Sequence, residues 1–289
     1  MKYKVGDKVR IREDLVMGEN YGGSVAVDDM TDMCGSVVTI ERVGNLNDMI
    51  CLKRGDCLEL MKEIPDKSID MILCDLPFGQ TARNKWDSVI PFDLLWKQYN
   101  RIIKDNGAIV LFANGMFTAD LIQSNRKMWR YNLVWEKAQP TGFLNANRMP
   151  LRAHEDICVF YKKLPTYNPQ KTTGHSRKVT KAEHRKSCKD SPDYNEFGLT
   201  SYDSTERYPR SVLRFPKDIQ KSAVHPTQKP VALLEYLIKT YTNEDDTVLD
   251  NCMGSGSTGV ACVNTERKFI GFELDSHFYE IAQERIMTT

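Results

Sequence analysis

The segment 247–274 constrains the fold more than any other part of the chain. It reads TVLD, then the glycine-rich run DNCMGSGSTG, then a helical stretch to about Thr265, then KFIGFEL. An apolar strand ended by an acid, a glycine-rich turn, a helix, and a second strand ended by an acid make the nucleotide-binding half of a doubly wound α/β fold. Gly254 and Gly256 allow close backbone approach and unusual dihedral angles. The helix that follows offers free N–H groups and the positive end of its dipole to a carboxylate or phosphate. The loop lacks the lysine of GxxxxGK[ST], which argues against a P-loop ATPase. Glu273 ends the second strand, where an acid can accept hydrogen bonds from ribose hydroxyls.

The rest of the chain supplies the remaining strands and helices. IDMILC at 69–74 is an apolar run of the kind found in a buried parallel strand, and short strands are expected near 50–52, 108–113, 131–136 and 156–161. Helices are expected over about 58–64, 92–103, 117–125, 230–241, 258–265 and 277–287, the fifth-last of these strands and helices beginning at Pro230. Residues 1–48 alternate apolar and polar residues between glycine-led turns, which predicts a small β accessory domain, SH3-like in form, ending near GNLND at 44–48. Residues 162–222 are polar and carry fourteen Lys/Arg against seven acids. An excursion of that length and charge can follow a phosphate backbone.

Two further constellations lie on this frame. DLPFGQ at 75–80 follows the buried strand, so Asp75 stands at its carboxyl end, where α/β sheets place ligands. An acid, a backbone carbonyl at Pro77 and the aromatic face of Phe78 suit a flat heterocycle bearing an amino group. HPTQKP at 225–230 sets Thr227, Gln228 and Lys229 between prolines just before a helix, where they can meet a ligand carboxylate. The formal net charge of +1 makes no whole-chain case for a nucleic-acid partner, so any such case is local. None of the eight cysteines forms a CxxC pair, which argues against a cysteine zinc site. The charged N-terminus and the lack of a long apolar run predict a cytoplasmic chain with free thiols and no membrane span.

Taken together, the three motifs resemble those of DNA amino-methyltransferases. DLPFG is similar to their [D/N/S]PP[Y/F] tetrapeptide, DNCMGSGSTG to their FxGxG cofactor loop, and HPTQKP to their HPT.KP segment. The order, tetrapeptide first and cofactor loop last, resembles the circularly permuted β group, over roughly residues 50–287. The resemblance implies a Rossmann-like, S-adenosylmethionine-dependent methyltransferase fold at 49–289, with 165–220 in the position of a target-recognition insertion.

Residue by residue, the resemblance implies these roles. Asp56 in RGDC lies near the cofactor adenine, and Glu273 takes the ribose. Asp250, Gly254 and Gly256 wrap the methionine end, and Thr227 with Lys229 holds its carboxylate. Asp75, Pro77 and Phe78 bind the flipped base, with Asp75 also facing the cofactor. Leu76 departs from the usual first proline, and Asn251 and Met253 depart from the usual loop residues; no required glycine is lost. An acid at the head of the tetrapeptide favours N6 of adenine. N4 of cytosine, or a catalytically inactive DNA binder on the same scaffold, are the alternatives. Double-stranded DNA is the implied partner, Arg148 and Arg152 are candidate contacts to it, 81–87 is a candidate lid, and a homodimer is plausible by the same resemblance.

Overall fold

The computed structural model describes residues 49–79, 88–181, 201–216 and 228–289, together with four short strands before them. The chain divides into two compact units, Met1–Met49 and Ile50–Thr289. In the first, Lys8–Arg10 pairs antiparallel with Val37–Thr39, and Asn20–Tyr21 with Ser24–Val25. Whether these strands close into an SH3-like barrel lies outside the described residues, as do Gln80, the 81–87 segment with Trp86, much of the basic stretch, and Thr227. No helix among the described residues is long and apolar enough to cross a membrane.

The second unit is built on one eight-stranded sheet. Its strands are β1 (Ile50–Arg54), β2 (Ile69–Cys74), β3 (Ile103–Ala113), β4 (Trp129–Thr141), β5 (Arg152–Phe160), β6 (Val212–Phe215), β7 (Thr247–Asp250) and β8 (Lys268–Glu273). They lie in the order β6-β4-β5-β3-β2-β7-β8-β1, with β5 antiparallel to both neighbours and every other pair parallel. The helices are α1 (Cys57–Leu60), α2 (Phe92–Ile102), α3 (Met116–Ser124), α4 (Val231–Tyr241), α5 (Ser257–Asn264) and α6 (Ser276–Met287).

Strand alternation sorts the core into two layers. Ile72, Cys74, Ile109, Leu111 and Leu249 face Leu95, Trp96 and Tyr99 of α2 and Phe117 and Leu121 of α3. Met71, Leu73, Val110, Phe112 and Val248 face Leu233 and Leu237 of α4, Ala261 of α5, and Ala282 and Ile286 of α6. The central strands are therefore apolar on both faces, which is why they read as unbroken hydrophobic runs rather than alternating ones.

Five elements differ from the sequence expectation. The helix expected at 58–64 is a short α-helix, Cys57–Leu60, tightened into a 3₁₀ turn at Met61–Glu63 before Pro65. The strand expected at 108–113 begins already at Ile103, so that Asn106 and Gly107 fall inside β3, where its register against β2 shifts. The strands expected near 131–136 and 156–161 run on into a long hairpin, and Val212–Phe215 of the basic stretch joins the main sheet beside β4. Polar sequence hid both extensions, because the hairpin leaves the core and β6 is an edge strand.

One buried polar contact ties the α2 layer to the sheet's carboxyl edge. The Tyr99 hydroxyl donates to Asn251 Oδ1 at 2.5 Å, with both residues buried. Tyr99→Phe keeps the ring but leaves the Asn251 carbonyl without that donor. Chemical denaturation is expected to show a loss of about 1–3 kcal/mol; a variant as stable as the parent contradicts a structural role for the bond.

Candidate active site

The sheet order brings four acids from distant parts of the sequence to one edge. β2, β7, β8 and β1 are adjacent and parallel, and Asp75, Asp250, Glu273 and Asp56 stand at or just past their carboxyl ends. Each acid is held differently. Asp250 Oδ2 accepts from the Thr258 hydroxyl at 2.6 Å and Oδ1 from the Cys252 N–H at 3.1 Å. Glu273 accepts from the Gly254 N–H and the Asp275 N–H, both at 2.9 Å, and so closes the glycine-rich loop against the end of β8. The Gly55 N–H donates to the Glu273 carbonyl at 2.9 Å, which sets the Asp56 turn beside it. Asp56 itself caps α1, accepting from the Leu58 N–H at 2.7 Å.

The loop needs glycine for stated reasons. Gly254 and Gly256 have φ of 52° and 80°, in the left-handed region. A Cβ on Gly256 would also stand 2.9 Å from Ala282 Cβ on α6. Behind the loop, Arg285 donates to the Ser255 hydroxyl at 2.9 Å, and that hydroxyl donates to Gln228 Oε1 at 3.3 Å. Two buried donors at this edge, Ser257 Oγ and Gln228 Nε2, have no hydrogen-bond partner among the described residues. Unsatisfied buried polar groups are costly, and here they border a glycine cradle at a helix N-terminus.

Asp75 belongs to a cluster that sequence reasoning only half saw. The Lys229 ammonium, whose side chain is 8% exposed, bonds to Asp75 Oδ2, lies 3.4 Å from Glu155 Oε2 and sits 5.0 Å from the centre of the Phe112 ring. Lys137 completes the line at 2.5 Å from Glu155 Oε1. The resemblance assigns Lys229 to the cofactor carboxylate, with Thr227; here Lys229 is engaged by two carboxylates, and Thr227 lies outside the described residues. Glu155 and Lys137 were missed. The available signal was period two along β5, where Glu155 shares a face with Ile157 and Val159 and so points inward.

Electrostatics follow from this arrangement. Burial pushes the Asp75 carboxyl above its ordinary value, Lys229 pulls it back and Glu155 pushes it up. Burial opposes the Lys229 charge, but Asp75 and Glu155 hold the ammonium above its usual range. Burial likewise opposes the Glu155 charge, and Lys229 and Lys137 overcome it. Asp75 Oδ1 is buried and has no hydrogen-bond partner among the described residues. Beside it, Phe78 is half-buried with its ring 4.8 Å from that of Phe117. Burial pushes the nearby Cys74 thiol up to about 12, so it stays protonated and is no nucleophile at neutral pH.

The long hairpin frames the same edge. Cys74, Leu111, Cys158 and Asn132 lie in one row across β2, β3, β5 and β4. From Asn132, β4 runs on to Thr141, which at roughly 3.3 Å per residue carries the arm roughly 25–30 Å past the row. Between Lys137 and Glu155 the sequence holds no acid, and Arg148 and Arg152 are exposed. At the tip Phe143 and Leu144 are 81% and 97% exposed.

Comparisons with known proteins converge on one family. The DNA methylase family model (N6_N4_Mtase) matches residues 69–284. The Type II methyltransferase M2.MboI of Moraxella bovis is 28% identical over 259 residues, covering 80% of this chain and 85% of its own length. The Type II methyltransferase M.HinfI of Haemophilus influenzae is 26% identical over 270 residues, covering 84% and 70%. Among solved structures, the M1.HpyAVI–SAM complex superposes with a TM-score of 0.55 at 26% identity, covering 82% of this chain and all of that one. The PvuII DNA methyltransferase, described as cytosine-N4-specific, gives 0.59 at 18% identity, covering 82% and 86%, and bears on the fold alone.

The fold is that of an S-adenosylmethionine-dependent DNA methyltransferase. The chain belongs to the N6/N4 DNA methylase family, whose model spans most of its length. The residues present suit the cofactor. Acids at the ends of β7 and β8 match an ammonium and a ribose diol, and the unpartnered donors Ser257 Oγ and Gln228 Nε2 can meet a carboxylate.

One consequence concerns pH. Burial raises the Asp250 carboxyl from 3.8 to about 6, against the pull of the Thr258 and Cys252 hydrogen bonds. The folded, cofactor-free protein then binds more protons than the unfolded chain between those values, so this group lowers stability as pH rises through that window. Asp250→Asn is expected to lose that component, so that the parent's stability falls relative to the variant's as pH rises through the window. Parallel curves contradict the assignment.

Proposed function

We propose that the enzyme methylates N6 of adenine in double-stranded DNA, taking the base out of the helix and transferring the methyl group directly. The observation that carries this reading is Asp75 Oδ1, a buried acceptor at the carboxyl end of β2 without a partner among the described residues. An exocyclic amine is a weak nucleophile because its lone pair is delocalised into the ring. Asp75 and the Pro77 carbonyl accept its two N–H groups, which favours a tetrahedral nitrogen as positive charge develops there. S-adenosylmethionine supplies a methyl group made electrophilic by its sulfonium. No covalent enzyme intermediate is required, in keeping with the protonated state of Cys74.

The remaining roles follow the same chemistry. Phe78 offers a ring edge and face to the flipped base, offsetting part of the unstacking cost. Gly254 and Gly256 admit the methionine end of the cofactor, Asp250 meets its ammonium, Glu273 its ribose and Asp56 its adenine side. Lys229, with Thr227, exchanges Asp75 for the cofactor carboxylate or keeps both. We assign residues 165–220 to target recognition, residues 1–48 to an accessory domain, and the working form to a homodimer, the last by resemblance to the β group alone.

The acid at the head of the tetrapeptide favours adenine over cytosine. The test is a digest of mixed-sequence duplex DNA after incubation with methyl-labelled cofactor, with nucleosides identified by mass spectrometry. N6-methyladenine is expected. N4-methylcytosine would reverse the target base while leaving the mechanism, and a cofactor-binding protein that labels no base would overturn the reading in favour of an inactive DNA binder.

The arm supports a duplex partner, since between Lys137 and Glu155 it carries the exposed Arg148 and Arg152 and no acid. Arg148→Ala and Arg152→Ala are each expected to weaken DNA binding across all sequences. Each should reduce the slope of log affinity against log salt by about 1. An unchanged slope in both removes the arm from the DNA interface.

A further inference from the structure

The Lys137–Glu155–Lys229–Asp75 line alternates in charge, and it is nearly dry up to Asp75, whose side chain is 29% exposed. The Lys137 and Glu155 side chains are 7% and 12% exposed. Holding three ionised groups largely out of water is expensive, and removing one partner leaves another charge uncompensated. Direct cofactor or base contact accounts for Asp75 and Lys229 but not for the outer pair. Glu155 sits on β5 and Lys137 on β4, two and three strands away from β2.

We propose that Glu155, held from behind by Lys137, is a positioning residue: it shares the Lys229 ammonium so that Asp75 keeps one oxygen free for the target amine. The proposal rests on the methyl-transfer reading above. The geometry explains why two residues are needed. Lys229 is fixed from three sides, by Asp75, by Glu155 and by the Phe112 ring. Without Glu155 the ammonium closes onto Asp75 alone and engages the oxygen that now has no partner. Without Lys137, Glu155 carries its full charge toward Lys229 and Asp75. Lys137 pairs with Glu155 Oε1, leaving Oε2, which has no hydrogen-bond partner among the described residues, to attract Lys229 as an ion pair across 3.4 Å.

The two outer residues therefore act on Asp75 in opposite senses. The charged and titratable groups around Asp75 are Lys229 beside α4, Glu155 on β5, Lys137 on β4, Cys74 on β2 and Asp250 on β7. Glu155 raises the proton affinity of Asp75 and Lys137 lowers it, Glu155 more strongly. Catalysis needs Asp75 ionised, so the acid limb of kcat against pH reports this group.

The experiment is the pH dependence of single-turnover methylation by the full chain, for the parent, Glu155→Gln, Lys137→Met and the double variant. Alongside it runs a carboxyl ¹³C titration of Asp75, assigned by its loss in Asp75→Asn, which needs no turnover. Glu155→Gln is expected to lower the plateau and move the acid limb and the titration down by about one pH unit. Lys137→Met is expected to move both upward. The double variant buries no unpaired charge, folds where a single variant does not, and is expected to lie between the parent and Glu155→Gln. Titrations that stay put, or that move the same way in both single variants, overturn the proposal, even where activity falls. A parent that methylates no DNA defeats the methyl-transfer reading instead, and the ¹³C titration still decides the electrostatic coupling.

Discussion

The placement of four carboxylates at the ends of four adjacent parallel strands is the constraint on which the rest of the structure depends. β2, β7, β8 and β1 can lie side by side only if their faces are covered, and α2 and α3 cover one side while α4, α5 and α6 cover the other. The cost is that Asp75 and Asp250 end up inside, where burial raises both carboxyls. The protein meets that cost in two ways. Asp250 is satisfied by Thr258 and a backbone N–H, which fixes the glycine-rich loop. Asp75 is given a counter-charge on one oxygen only, which leaves the other available for chemistry.

On the proposed roles, this division separates cofactor and base along one edge. The β7–β8–β1 side carries the glycine cradle, the helix N-terminus and the acids that suit a cationic, ribose-bearing ligand. The β2 side carries Asp75, Pro77 and Phe78. The arm of β4 and β5 continues from the β2 side, so the surface suited to DNA and the carboxylate suited to its base belong to one half of the sheet. The Tyr99–Asn251 bond links the two halves through α2.

Much of this was legible in the residues. The apolar runs IDMILC and TVLD, the glycines at 254 and 256 and the proline at 230 each carry a local physical signature, and each marks an element that is present. Family resemblance located Asp75, Asp250 and Glu273, and the sheet order brings them to one edge. What stayed hidden depends on long-range register. Whether Glu155 points inward is decided by its row partner Trp135 across the hairpin, and Lys137 is visible as its partner only once β4 and β5 are paired. The arm was hidden because a protruding hairpin has no buried face to impose alternation, and Pro140 within β4 reads locally as a break. β6 was hidden because an edge strand in a basic stretch buries only Leu213.

The central claim is that Asp75 serves the methyl-transfer step rather than the binding of the cofactor. The measurement that tests it most directly is single-turnover methylation by Asp75→Ala together with its S-adenosylmethionine dissociation constant. The account predicts that transfer falls by about 10³-fold or more, the scale of losing a hydrogen-bonding group that acts on developing charge, while cofactor affinity stays within about threefold, a fraction of a kcal/mol. Transfer at the parental rate, or a loss of rate fully matched by a loss of cofactor affinity, would contradict it.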